Sequence, residues 1–218
     1  MMPPLYRVYQ TLHTSWGAQH WWPAESNLEM IIGSILTQNT SWTQVERVLE
    51  TLKENQAIDL HFLSKIPHTT LASWIKPTGY YNNKARNLKH ISQIIIDQHN
   101  ASIETLFNCS TDRLRLHLLA WPGVGPETAD SILLYGAKRA EFVVDTYTRR
   151  FMTRHGWCKG NESYEQLKRI ISDQLPTSVE VYQEFHALIV KLGQEHCRTK
   201  PDCATCPLQQ MLSRPVSS

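Results

Sequence analysis

The sequence predicts an all-α protein. Apolar residues recur every three or four positions along much of the chain, as they do on one face of an α-helix. Ser and Asn residues that favour helix starts precede several of these stretches, and Pro and Gly separate them. No stretch shows the alternation of a convincing strand, and the chain has no internal repeat. Its 218 residues suffice for one large domain or two small lobes with a real core.

The composition excludes several classes of protein. A hydrophobic content of 41% indicates a globular rather than a disordered chain. No apolar run reaches membrane-spanning length, and the N-terminus lacks the apolar core of a signal peptide, so a cytoplasmic protein away from membranes is expected. A formal net charge of +2 permits DNA binding without demonstrating it. The five cysteines of a cytosolic chain argue against a disulfide framework.

The predicted helices follow one another closely. The stretch 28–37 is apolar on most sides and should form a central, buried helix that Ser26 or Asn27 caps. Ser41 would cap the next helix. In chain order, helices are predicted over 5–14, 28–37, 42–49, a short pair within 61–74, a stretch that ends near 98, one that begins at 110 or 111, and then 128–135, 146–152, 164–175 and 179–193.

A tight turn organises the middle of the chain. Leu118-Leu119 leads into Pro122-Gly123-Val124-Gly125, and a helical run follows, so the segment is predicted as helix, turn, helix. Gly123 and Gly125 permit backbone angles that other residues resist and allow a partner to approach the main chain. The second helix would present free N–H groups and its positive dipole end, which favour an anion such as DNA phosphate.

An apolar run ending in Val144-Asp145-Thr146 lies shortly downstream. Together with the Pro-Gly-Val-Gly turn, it resembles the helix-hairpin-helix DNA glycosylases of the endonuclease III superfamily. The resemblance extends from about Trp21 to Leu208. It implies a two-lobed helix-hairpin-helix glycosylase fold with a central cleft for the substrate and a C-terminal cysteine loop. A six-helix lobe would span 23–140, and a C-terminal helical lobe, 141–218, would be joined by the N-terminal helix within 1–22.

The resemblance also implies a partner and its contacts. Double-stranded DNA containing damaged bases would be bound by a monomer, with the main chain of Gly123, Val124 and Gly125 against phosphate. Gln38, in Leu-Thr-Gln-Asn-Thr, resembles the glutamine that fills the gap left by a flipped nucleotide; ordinary capping and turn chemistry is the alternative. Lys84 lies in a segment similar to the family's Gly-x-Tyr/Phe-Asn-x-Lys-Ala and is predicted to meet phosphate, although a solvated helix start is equally consistent.

The reaction that the resemblance implies needs a carboxylate. Breaking an N-glycosidic bond builds positive charge on the sugar, which a buried carboxylate stabilises. Asp145 is the predicted catalytic residue; the alternative is simple capping of the helix that starts at Thr146. Bifunctional members carry a nucleophilic lysine just after the hairpin, where this chain has Glu127. A carboxylate cannot form a Schiff base, so no lyase activity is expected.

Three tryptophans suggest the base that is removed. Trp21, Trp22 and Trp42 are predicted to hold a flipped base, and indole faces attract a cationic alkylated purine. Trp-Trp-Pro followed by Leu-Thr-Gln-Asn-Thr resembles the bacterial 3-methyladenine glycosylase branch; filling a hydrophobic gap is the alternative for Trp21 and Trp22. We therefore expect a monofunctional glycosylase for alkylated purines. An endonuclease III-like enzyme for oxidised or mismatched pyrimidines and a non-catalytic helix-hairpin-helix DNA-binding protein are the alternatives.

Three cysteines crowd near the C-terminus. Cys197, Cys203 and Cys206 resemble the superfamily's [4Fe–4S] loop, but a four-iron cluster takes four thiolates and the place of the fourth, near Met211 and Leu212, has none. Three alternatives stay open: a cluster with a different or open fourth position, a zinc site that uses His196, or a loop without metal. The expected role of a cluster is structural: it would order a basic loop with Arg198 and Lys200 for DNA, rather than take part in redox catalysis.

Overall fold

The computed structural model describes residues 4–211, which form helices joined by short connections and contain no β-strand. The predicted all-α fold class is therefore confirmed. The helices are α1 (Leu5–Trp16), α2 (Asn27–Leu36), α3 (Trp42–Glu54), α4 (Leu60–Lys65), α5 (His68–Trp74), α6 (Tyr81–His99), α7 (Ile103–Phe107), α8 (Thr111–Leu119), α9 (Pro126–Ser131), α10 (Thr146–Arg154), α11 (Tyr164–Ser172) and α12 (Val179–Glu195). A π-helical segment, Ile132–Gly136, continues α9.

Side-chain caps fix where many of these helices begin. Each such cap is a Ser or Asp side chain that accepts a main-chain N–H of the first turn, where the helix itself offers no acceptor. At α11 the cap is reciprocal, because the Gln166 side chain also accepts from the main chain of Ser163. The residues that cap in this way are Ser26, Asp59, Ser102, Ser110, Asp145, Ser163 and Ser178.

The chain divides into two compact units, of which one is Ala24–Arg139. This unit contains eight α-helices, α2 to α9, rather than the six expected. The difference arises from short helices, since α4, α5 and α7 have six, seven and five residues. As predicted, α2 is almost entirely buried, and its residues Met30 to Leu36 belong to the core of this unit.

The second unit combines the chain before and after the first one, and its helices are α1, α10, α11 and α12. Its core includes the fully buried rings of Phe142, Phe151 and Phe185. Helices α10 and α12 pack closely because Gly193 lacks a side chain. A Cβ at that position would lie 2.1 Å from the ring of Tyr147.

None of the helices in residues 4–211 combines the length and the apolar character that crossing a lipid bilayer requires.

Candidate functional site

The predicted helix-turn-helix is present in the first unit. Helix α8 ends at Leu119, and α9 begins at Pro126 after a turn in which Gly123 has a φ of +73°. A residue with a Cβ is strained at this angle, which explains why glycine stands there. Arg115 on α8 and the fully buried Asp130 on α9 form a bidentate ion pair, with Nε 2.7 Å from Oδ1. This pair fixes the two helices relative to each other.

Gln38 is attached to this turn by its side chain. Its Nε2 donates to the main-chain oxygen of Gly123 at 3.0 Å and to Oγ1 of Thr128 at 2.9 Å. The residue follows α2, in the polar segment that the sequence singled out. The structure thus brings two of the predicted DNA-contacting elements, Gln38 and the turn, into direct contact.

Lys84 does not have the predicted role. It is buried, with 3% of its surface exposed, and its ammonium donates to the main-chain oxygens of Leu36, Gln38 and Thr78 at 2.7 to 2.8 Å. An ammonium has three N–H groups, so all of them are engaged inside the unit. The predicted phosphate contact is therefore wrong, and so is the alternative of a solvated helix start. Burial lowers the pKa of Lys84 to about 8.

A carboxylate marks the start of α10 in the second unit. Asp145 Oδ1 accepts the main-chain N–H of Thr148 at 2.7 Å, so the side chain caps the helix. Its other oxygen, Oδ2, lies 3.7 Å from Nε2 of His186 on α12. Both side chains are largely buried. Capping and a second function are compatible here, because the cap uses only one of the two carboxylate oxygens.

The environment of Asp145 keeps it ionised. Burial by itself raises the pKa of a carboxyl group, and that is the largest influence at this position. The contacts with His186 and with Thr148 act in the opposite direction and together outweigh it, so that the pKa of Asp145 lies below its ordinary value. The result is a nearly buried carboxylate that carries its negative charge at neutral pH.

The three tryptophans lie in different parts of the chain. Trp21 and Trp22 belong to the second unit, where their rings meet edge to face with centroids 6.2 Å apart. Trp42 begins α3 in the first unit, and its indole N–H donates to Glu46 at 2.7 Å. All three are partly exposed, so none is simply a core residue.

The cysteine loop is ordered by two arginines of α10. Arg154 donates to the thiol of Cys197 at 3.4 Å and to the main-chain oxygens of Arg198 and Thr199. Arg150 donates to the main-chain oxygen of Cys197 at 2.6 Å. The three thiols of the loop line one small pocket together with the buried ring of His155. Burial, followed by the neighbouring thiols, raises the pKa of Cys206.

A family model for the HhH-GPD superfamily of base excision DNA repair proteins matches residues 32–177, which include the turn and Asp145. The chain belongs to this superfamily. A protein of Methanocaldococcus jannaschii provisionally named a DNA repair glycosylase is 40% identical over 210 residues, 94% of each chain. Endonuclease III of Bacillus subtilis is 28% identical over 181 residues, 83% of this chain and 78% of the other. The predicted family and, at this coarse level, the predicted DNA glycosylase of base excision repair are supported.

Solved structures of the superfamily agree. A complex of endonuclease III with DNA has a TM-score of 0.85 over 98% of this chain and 96% of the other. At 24% sequence identity, this similarity shows a shared fold and no more. The Helicobacter pylori 3-methyladenine DNA glycosylase, bound to 1,N6-ethenoadenine, has a TM-score of 0.76 at 27% identity, over 88% of this chain and 96% of that one.

The superfamily resemblance implied a [4Fe–4S] cluster, and the loop of this chain does not fit one with four protein thiolates. It supplies three thiols, and Leu212, which stands where a fourth was sought, lies outside the described residues. Among residues 4–211, no three His, Cys, Asp or Glu side chains converge to hold an ion. His196, the suggested zinc ligand, lines the same pocket as the three thiols and also stacks its ring on Trp16 with centroids 5.9 Å apart.

Two residues of this superfamily member were missed by sequence reasoning. His186 is a nearly buried polar residue within the apolar run of α12, and that position is the only local signal that it has a partner. Tyr80 precedes α6 with a φ of 45° and an exposed fraction of 70%. A large exposed ring on a backbone in the left-handed region is an uncommon combination. The neighbouring Gly79 was the only local sign of an unusual turn at this position.

Proposed function

We propose that this protein is a monofunctional DNA glycosylase that hydrolyses the N-glycosidic bond of a flipped alkylated purine. The observation that carries the proposal is Asp145, a nearly buried carboxylate with a lowered pKa, at the start of α10 in a superfamily of base excision repair proteins. A fixed negative charge in such surroundings is suited to stabilising positive charge on a sugar.

In the proposed reaction, the bond between C1′ and the base nitrogen breaks, and its electron pair leaves with the base. A cationic alkylated purine departs as a neutral molecule and needs little assistance from an acid. Positive charge spreads over C1′ and the ring oxygen, and the carboxylate of Asp145 stabilises it. The oxygen of a water molecule then bonds to C1′, and its released proton passes to Asp145 and on to solvent.

DNA would approach the main chain of the turn. Gly123 and Gly125 are exposed, and neither offers a side chain that would keep a phosphate away. The bonds from Gln38 to Gly123 and Thr128 hold the turn and the glutamine as one element. We infer that this element contacts DNA on both sides of a flipped nucleotide, and that Gln38 exchanges these bonds for bases when it enters the gap.

Support for an alkylated purine comes from two sources. Three partly exposed tryptophans are available, and electron-rich indole faces favour a cationic base over a neutral one. The likeness to the Helicobacter pylori 3-methyladenine glycosylase at 27% identity adds to this argument. Similarity to endonuclease III of Bacillus subtilis at 28% favours the second candidate, an enzyme for oxidised pyrimidines.

The absence of lyase activity is also part of the proposal. Glu127 lies exposed in the first turn of α9, where bifunctional relatives were expected to carry a nucleophilic amine. A carboxylate cannot attack C1′ to form an imine, so the product should be an intact strand with an abasic site.

The cysteine loop has no part in this reaction. Any cluster there would be held by Cys197, Cys203 and Cys206, with one iron left to a different ligand. Iron, sulfide and zinc analysis of the purified protein distinguishes the alternatives. About four irons and four sulfides per chain indicate such a cluster, one zinc indicates a zinc site, and neither indicates a loop held by Arg150 and Arg154 alone.

The decisive experiment is to incubate the protein with DNA methylated at purine nitrogens and with DNA containing oxidised pyrimidines, and to chromatograph the released bases. Free 3-methyladenine and an uncut abasic strand support the proposal. Oxidised pyrimidine with strand cleavage supports the second candidate. Binding to an abasic-site analogue without any base release would identify a non-catalytic DNA-binding protein.

Asp145→Asn provides the matched control. Asparagine also caps helices well, so the variant should fold and still bind DNA containing an abasic-site analogue. Base release should fall by roughly a hundredfold or more. A variant that remains fully active would show that Asp145 is not the catalytic group.

A further inference from the structure

His186 faces the carboxylate oxygen of Asp145 that the helix cap does not use. Its Nε2 lies 3.7 Å from Oδ2, with 7% of the His186 side chain and 12% of the Asp145 side chain exposed. Helices α10 and α12, which carry the two residues, pack directly on each other. At this distance the imidazole lies just beyond hydrogen-bonding range of the carboxylate, and catalytic contacts of this kind commonly shorten when substrate binds.

The two oxygens of Asp145 are thus served by different groups. Oδ1 accepts a main-chain N–H, which orients the carboxylate and cannot be removed by changing a side chain. Oδ2 faces the imidazole of His186, and contact with this ring favours the ionised carboxylate. Burying a carboxylate is costly unless its charge is compensated, so removing the imidazole should return the group towards the protonated form.

Several other titratable or charged side chains of the same unit have partners of their own. They lie on α10, on α12, on α1, which packs against α12, and at the start of α11. On α10, Arg149 donates to the main chain of Gly160 and Glu162, Arg150 donates to that of Gly193 and Cys197, and Arg154 donates to the cysteine loop. On α12, Glu184 accepts from Gln19 and Lys191 pairs with Glu195. Tyr9 and His13 on α1 contact each other, and the hydroxyl of Tyr164 accepts from Val144.

We propose that His186 is a positioning residue for Asp145, which keeps Oδ2 ionised and directed while the base leaves. The inference rests on the proposed function, because it concerns the same carboxylate. His186 makes and breaks no bond of the substrate. Its Nε2 faces Oδ2, and this contact favours the negative charge with which Asp145 stabilises the sugar as the base leaves.

Two substitutions separate this role from simple packing. His186→Leu removes the N–H and keeps the bulk, whereas His186→Gln keeps an N–H donor near the position of Nε2 without a titrating ring. Single-turnover base release should be lowered at least about tenfold at neutral pH by His186→Leu and largely restored by His186→Gln. The acid limb of the pH profile should move upward in His186→Leu, because Asp145 loses a contact that lowers its pKa.

The Asp145→Asn background provides a control that distinguishes action through the carboxylate from a packing effect. If His186 acts through the carboxylate, then adding His186→Leu to Asp145→Asn should cause no further loss of base release. Binding to DNA with an abasic-site analogue and the thermal unfolding midpoint report whether each variant is folded. Should His186→Leu not fold, the comparison of His186→Gln with the unchanged protein in the same pH profile still decides the point.

The outcomes are distinguishable from failure of the proposed function. Unchanged protein that releases no base from either DNA overturns the glycosylase itself. If the unchanged protein releases base, and His186→Leu does so at the same rate and with the same acid limb, then only the role of His186 is overturned. Equal further losses when His186→Leu is added to both backgrounds would indicate packing, and would equally overturn it.

Discussion

The ammonium of Lys84 lies 2.7 Å from the main-chain oxygen of Gln38, whose own side chain bonds to the turn after α8. Lys84 also donates to Leu36 and to Thr78. One buried cation therefore ties the end of α2 to the segment before α6, and Gln38 extends the connection to Gly123. Lys84, which was expected to contact DNA, is instead buried and supports Gln38 and the turn, the elements proposed to contact DNA.

Lys84→Met should destabilise the first unit. Methionine fills a similar space but leaves three main-chain oxygens without their donor, and buried acceptors without partners are expensive. We expect the free energy of unfolding to fall by about 3 kcal/mol in urea titrations. The control is Lys65→Met, an exposed lysine at the end of α4, which should change stability by less than about 0.5 kcal/mol. Equal effects of the two substitutions would contradict the role of Lys84.

The two glycines of the turn should respond differently to alanine. At Gly123 the φ is +73°, and an added Cβ would lie 2.1 Å from Nδ2 of Asn87, so Gly123→Ala should cost roughly 1 to 3 kcal/mol of stability. At Gly125 the φ is −99° and a Cβ would meet nothing within 4 Å. Gly125→Ala should therefore leave the unfolding free energy unchanged or raise it by about 0.5 kcal/mol.

This contrast also tests the DNA contact. Because Gly125→Ala does not disturb folding, weaker binding of that variant to a DNA duplex in titrations would reflect obstruction of the main chain. The affinity of Gly125→Ala for DNA should fall, although its unfolding curve matches that of the unchanged protein. Unchanged affinity would mean that phosphate does not approach this side of the turn.

The sequence alone was informative where the signal is local. The turn and the cap at Asp145 follow from neighbouring residues, and most helices follow from apolar spacing. The role of Lys84 depends on three main-chain oxygens between 6 and 48 positions away in the sequence, which no local pattern specifies. His186 and Asp145 are likewise far apart in the sequence, and the partner of a buried histidine is known only when its helix is packed.

Glu127→Lys should create a covalent intermediate where the unchanged protein forms none. A lysine amine in the first turn of α9 could attack C1′ as the base leaves and form an imine, which borohydride reduces to a stable amine. We expect a protein–DNA adduct on a denaturing gel after borohydride treatment, and partial strand cleavage without it. Glu127→Gln is the control, since an amide is not a nucleophile. Adduct formation by the unchanged protein would refute the assignment of monofunctional activity.

Asp145 should contribute to stability in a way that disappears in acid. Its pKa in the folded protein lies below the ordinary value of 3.8, so the unfolded chain binds a proton first as the pH falls. The contribution is therefore present in full above that ordinary value and is lost as the pH falls through the lower folded value. Urea unfolding of the unchanged protein and of Asp145→Asn at a series of pH values measures it. The advantage of the unchanged protein should shrink below about pH 4, because protonation removes the charge that His186 and Thr148 stabilise. An advantage that grows towards lower pH would mean that burial prevails over these two contacts and that the carboxyl group is protonated more readily in the folded protein.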